Sequence, residues 1–143
     1  MVDGQFIRWQ EGKYRNAIIE LLGLCMGNSH RIEQIYIQYA AGHSLRLYGW
    51  VQADQLVGIM GIHVHSDVLH EISHLAVMLD YQQAGIGRQM IQTYHSEHSS
   101  IQLFAETDRE AVGFYRQSGF AIYSLGEKYP GVERFRCVRS VDS

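Results

Sequence analysis

Charge, cysteine and proline are all sparse in this chain of 143 residues. Lys plus Arg number 12 and Asp plus Glu 15, a formal net charge of -3, and charged residues make up only 19%. Nucleic acid demands a concentrated basic face, and the cationic side chains here are scattered, so nucleic acid is not expected as the main partner. The two cysteines, Cys25 and Cys137, lie far apart with no C-x-x-C pair. That argues against a disulfide scaffold and for a reducing cytoplasm. No apolar run approaches the ~20 residues that span a bilayer, and residues 18–26 fall far short of it. The opening Met1, Val2, Asp3 and Gly4 carry no cationic stretch, so neither a signal peptide nor a membrane segment is expected. A single proline and no low-complexity tract exclude collagenous or disordered classes.

What the chain does hold is 46% hydrophobic residues and 11% aromatics, enough to build a core over a length that suits one domain, residues 1–143. After a short strand over 6–10, the residues Tyr14, Ala17, Ile18, Leu21, Leu22 and Cys25 recur at helical spacing. Gly27 and Asn28 end that helix, and the buried stripe is expected to include the Cys25 thiol. A second helix puts Ile32, Ile35, Tyr36, Tyr39 and Ala40 on one side and stops at Gly42. The period then becomes two, giving a hairpin over 45–65 and a third strand over 70–79 whose last half, Leu75 to Leu79, suits a central position. A helix from about Gly85 to Glu97 and a strand over 101–105 follow. Thr107 and Glu110 form a capping box for a helix bearing Ala111, Phe114 and Tyr115, closed by Gly119. Strands over 120–125 and 132–138 complete an α/β (α+β) reading, a mixed sheet covered by helices.

The most informative segment runs from Asp80 through Gln82, Gln83, Ala84, Gly85, Ile86, Gly87 and Arg88, between the apolar strand and a helix. Helix starts leave amide hydrogens unpaired and carry partial positive charge, so glycines there let the chain approach an anion such as a pyrophosphate. No Lys-Ser or Lys-Thr follows, which excludes a P-loop, and Met90 occupies the third glycine position of a dinucleotide fingerprint. The alternative is a helix start with two small residues for close packing.

The pattern Gln82-x-x-Gly85-x-Gly87 after a strand, followed by Ala111, Phe114, Tyr115, Gly119 and Phe120, resembles the GNAT superfamily of acyl-CoA-dependent N-acetyltransferases. The resemblance implies a mixed, mostly antiparallel sheet with splayed central strands and helices on both faces. It further implies an acetyl-CoA site in which the amides of Gly85, Ile86, Gly87 and Arg88 hold the pyrophosphate, beside Gln82, Gln83 and Ala84. Backbone groups near Leu75 and Val77 would pair with the pantetheine amides as an added strand does. Metal is not expected. Asp108 departs from the family pattern, where asparagine is common, and either contacts pantetheine or caps the helix.

Acetyl transfer from a thioester to an amine needs a neutral amine, oxyanion stabilisation and a proton for the departing thiolate. The resemblance assigns the acid role to Tyr115 and the oxyanion donor to the backbone N–H of Leu75. Glu71 is the base candidate, because strand alternation places it on the face of Ser73, Leu75 and Val77. An exposed glutamate on the sheet rim is the alternative. The acceptor is expected to be the primary amine of a small molecule, attacked directly without a covalent intermediate. A peptide or protein amine, a different acyl donor and a non-catalytic acyl-CoA sensor stay open, as does a homodimer.

His63, His65, His70 and His74 crowd one hairpin, and His63-x-His65 puts two imidazoles on one face. A metal site is one reading, and cleft or edge residues tuning polarity are the favoured one, because no cysteine or carboxylate completes a recognisable ligand spacing. His74 is a further base option. Tyr36, Tyr39 and Tyr129 fall where such proteins build acceptor pockets, yet packing explains them better.

Overall fold

The computed structural model describes residues 4–27 and 29–140, so the opening Met1 to Asp3 and the helix-ending Asn28 lie outside the described residues. In chain order the elements are β1 (Gln5–Arg8), α1 (Arg15–Met26), α2 (Ser29–Ala41), β2 (Leu45–Gln52), β3 (Gln55–Val64) and β4 (Leu69–Val77). A 3-10 turn (Leu79–Tyr81) then leads to α3 (Ile86–Glu97), β5 (Gln102–Asp108), α4 (Val112–Gln117), β6 (Ala121–Tyr129) and β7 (Val132–Arg139).

The strands form one sheet in the order β1-β2-β3-β4-β5-β7-β6, antiparallel throughout except between β4 and β5. Helices cover both faces. On one, Ile18, Leu21 and Leu22 of α1 and Tyr39 of α2 pack on Leu47, Ile59 and Ala76. Each such side chain contributes roughly 1.5–3 kcal/mol by leaving water. On the other, Ile86, Met90 and Tyr94 of α3 and Tyr115 of α4 pack on Met60, Ile62, Ile72 and Leu103. Gly27 ends α1 with φ 64 and returns its N–H to Gly23 O. The β2–β3 hairpin turns on Ala53 and Asp54, both left-handed at φ 51 and 62, which is the geometry that matches strand twist.

Two features of this sheet position the site. First, β4 and β5 share only the rungs Leu69 to Gln102, His70 to Leu103 and Glu71 to Phe104, after which β5 pairs with β7 alone. The central strands therefore fork beyond Glu71, as the splayed-sheet expectation holds. Second, the β3–β4 register steps from Gly61 opposite His74 to Ile62 opposite Ile72, so Ser73 is an extra residue in β4.

That bulge overturns the alternation argument for Glu71. Upstream of Ser73, Ile72 joins the α3 face, while Glu71 stands opposite His63, two residues along β3 from Gly61, whose missing side chain faces Tyr39 of α2. Downstream, His74 and Ala76 take the α1–α2 face, and Leu75 and Val77 pack toward α3. Glu71 thus points away from the face of Leu75 and Val77.

The start of α4 also differs from expectation. Thr107 is still a strand residue, paired with Phe135, so it caps nothing. Asp108 Oδ1 instead accepts the N–H groups of Glu110 at 3.0 Å and Ala111 at 3.1 Å. The carboxylate at the strand end thus closes the turn that leads into α4, whose own N-cap position, Ala111, carries no side-chain cap.

Candidate active site

Beyond the fork, β4 has a strand on one side only. Met78 N–H donates to Val57 O at 2.8 Å, so Met78 bonds toward β3, and by alternation Val77 and Leu75 turn their N–H and C=O groups into the fork. The Val77 carbonyl accepts Gln82 Nε2 at 2.9 Å, which pins the following turn to the strand. The Leu75 carbonyl accepts the Cys25 thiol at 3.4 Å. Cys25 is exposed rather than a buried core thiol, because α1 turns that edge of its apolar stripe toward the end of β4.

The turn into α3 passes through Gln83 at φ 68 and Gly85 at φ 84, a left-handed pair around Ala84 that swings the chain onto the helix axis. The first bond closing the helix runs from Gln89 N–H to Gly85 O at 2.9 Å. The amides of Ile86, Gly87 and Arg88 precede it and point out along the axis, where an anion gains from them and from the helix dipole. Gly87 also packs closely on α4, a Cβ there standing 3.1 Å from Phe114 Cζ. The Arg88 guanidinium is engaged elsewhere, donating to Gln117 O at 2.9 Å and tying α3 to α4.

A cleft of about 670 Å³ joins these parts. Leu75, Val77, Gln82, Gln83, Gly85, Ile86, Gly87, Arg88 and Tyr115 all line it, whereas Ala84, Glu71 and Asp108 do not. Asp108 is occupied in the turn before α4. Tyr115 is buried with Phe114 and Phe120 edge-on, both at 5.2 Å between ring centres. Burial is the main cause that pushes its phenol well above the ordinary range, with Cys137 and Cys25 adding to it. Leu24, Gln117 and Ser118 also line the cleft, outside the segments that the sequence pattern marks. Leu24 had a legible signal, being a leucine that falls off the helical stripe and ends up exposed.

On the α1–α2 face, at the mouth of the fork, lies a second group. His65 Nε2 stands 2.8 Å from Glu71 Oε1 and His63 Nδ1 3.9 Å from the same atom, with the two imidazoles stacked at 4.0 Å. Glu71 is therefore the carboxylate missing from the local spacing, supplied from the neighbouring strand. Nearby, Tyr39 Oη and His74 Nδ1 are 2.6 Å apart. Burial pushes the Tyr39 phenol up, and burial, helped by Arg31 and opposed by Glu71, pushes His74 down. Tyr39 lies against the backbone of β3 because Gly61 has no side chain, a Cβ there falling 1.8 Å from its hydroxyl. His70 is apart from this group, buried on the α3 face against Tyr94.

Residues 27–129 match the family model described as the acetyltransferase (GNAT) domain. The chain belongs to the GNAT acetyltransferase family. GNAT enzymes are acyl-CoA-dependent, and the splayed mixed sheet with helices on both faces is the family's fold. No curated protein matches the sequence. Solved structures do match in fold. One is a GNAT family acetyltransferase from Elizabethkingia anophelis with acetyl-CoA bound, 17% identical, covering 99% of this chain and 100% of its own at a TM-score of 0.75. An aminoglycoside 6'-N-acetyltransferase complexed with coenzyme A is 14% identical, with coverage of 97% and 98% and a TM-score of 0.82. Ard1 from Thermoplasma volcanium is 18% identical, with coverage of 99% and 100% and a TM-score of 0.79. Among the described residues of this GNAT chain, no helix is long and apolar enough to cross a membrane.

Proposed function

We propose that this GNAT protein moves the acetyl group of acetyl-CoA to the primary amine of a small molecule by direct attack. The observation that carries the reading is a single cleft lined by the edge of β4 that has no neighbouring strand, the leading amides of α3 and the buried Tyr115. The extended, amide-bearing pantetheine arm of CoA pairs with that edge, and the CoA diphosphate meets the amides of Ile86, Gly87 and Arg88. Neutral donors suit an acidic chain, since no cationic side chain is needed.

The amine nitrogen attacks the thioester carbonyl carbon, and the C–S bond then breaks, leaving N-acetylamine and CoA thiolate. In this reading the Leu75 N–H, turned into the fork, donates to the oxygen that becomes negative. Tyr115 donates a hydrogen bond to the departing sulfur. Full proton transfer from a phenol near 10 to a thiolate near 8.5 is uphill by about 2 kcal/mol, and burial raises that cost, so hydrogen bonding is the role that fits. The amine proton goes to Glu71, which approaches from the α1–α2 face while the donor lies along the strand edge. An ammonium near 10 yields its proton to a carboxylate only when burial lowers it, which the enclosing Tyr39 and His74 favour.

Cys25 and Cys137 both carry free thiols, which suits the cytoplasm. A thiol-release assay with acetyl-CoA against polyamines, amino acids, aminoglycosides and peptides tests the reading. Turnover with one small-amine class supports it. Turnover with peptides alone, or CoA binding with no thiol release for any amine, overturns it.

A further inference from the structure

We propose that His63, His65 and Glu71 form a binding site for a divalent transition-metal ion, with zinc the best match. Their ligand atoms all lie within 4.8 Å of one another. A tetrahedral ion with bonds of about 2.0–2.1 Å to nitrogen and oxygen needs its ligand atoms roughly 3.3 Å apart. The separations from Glu71 Oε1, 2.8 Å to His65 and 3.9 Å to His63, bracket that value, so small side-chain rotations close the set.

Two of the ligands stand on paired strands and the third is pinned at the start of the turn between them. His63 lies on β3 with Glu71 as its direct cross-strand partner, and His65 is the first residue past β3, its N–H donating to Leu69 O at 3.0 Å. Phe104, on the last rung of the fork, stacks on His65 at 5.6 Å and limits how its ring can turn. Two imidazoles and one carboxylate leave the fourth position of a tetrahedral ion open to water. Side-chain exposures of 37%, 35% and 26% for His63, His65 and Glu71 give the ion a way in. Resting on the proton-accepting role proposed for Glu71, a bound ion and proton transfer exclude each other, so zinc acts as an inhibitor of acetyl transfer and not as its cofactor.

The test titrates zinc into untagged, chelator-stripped protein in competition with a chromophoric chelator. The expected result is one equivalent bound, with affinity at least about 10-fold weaker in His63→Ala and in His65→Ala. His63→Gln and His65→Gln, which keep side-chain bulk, guard against a folding defect and are checked by circular dichroism. Loss of the same equivalent in the folded Gln variants supports the site. No bound equivalent in the wild type, or binding unchanged in these variants, overturns it. Zinc bound through these residues with thiol release undiminished keeps the site and removes Glu71 as the proton acceptor.

Discussion

Glu71 and Leu75 point to opposite faces of β4 although four positions separate them, because the bulge at Ser73 resets the alternation between them. The donor can then lie along one edge of the strand while the acceptor arrives over the α1–α2 face. A regular strand would put both on one side.

Glu71→Gln keeps the shape of the side chain and removes its charge. Positioned proton transfer contributes typically about 10²–10⁴ in rate. The expected loss is on the order of 100-fold in kcat/KM with the pH profile altered, measured by thiol release across pH 6 to 9. An unchanged profile removes Glu71 from the mechanism.

Tyr115→Phe keeps the ring packed between Phe114 and Phe120 and deletes only the hydroxyl. A hydrogen bond to a developing charge contributes about 1.5–3 kcal/mol, so kcat should fall roughly 10- to 100-fold while CoA affinity changes little. Full turnover at saturating substrate contradicts the assignment.

His95 makes the stability of the fold pH-dependent. Its Nε2–H donates to Ile101 O at 3.0 Å and its Nδ1 accepts from Arg139 at 2.6 Å, an arrangement that fits only the neutral ring. Burial is the main cause that pushes its pKa down, and burial does the same to His70 and His74. The unfolded chain, with histidines near 6.5, therefore takes up protons first on acidification. Stability is complete above about 6.5 and is lost as pH falls through that value toward the lower folded ones. Melting temperatures at pH 7.5, 6.5 and 5.5 should decline, and less steeply in His95→Gln. A flat or rising series contradicts this.

The β2–β3 turn holds Ala53 at φ 51 and Asp54 at φ 62, where asparagine and glycine are less strained. Ala53→Asn combined with Asp54→Gly should stabilise by about 1 kcal/mol, a rise of roughly 2–4 °C in a thermal melt. A lower melting temperature contradicts the turn geometry.

Much of this architecture is legible before any coordinates. The stripe of Ile18, Leu21 and Leu22, the stops at Gly27 and Gly42 and the turn through Gly85 depend on local chemistry, and local chemistry is what periodicity reports. What escapes it depends on neighbours. Nothing in residues 69–77 marks Ser73 as an extra residue, since the bulge exists only relative to β3. Likewise Glu71 joins His63 and His65 across a hairpin that no spacing rule spans, and Asp108 rather than Thr107 closes the turn into α4 because β5 runs further than its apolar run.

The central claim, that the amides leading α3 hold a diphosphate, is tested most directly by titration calorimetry comparing CoA with pantetheine, which shares the arm and lacks the phosphates. Saturable binding of CoA at one per chain, at least about 10-fold tighter than pantetheine, is the expected result. Equal affinity for the two, or no heat with CoA, would contradict it.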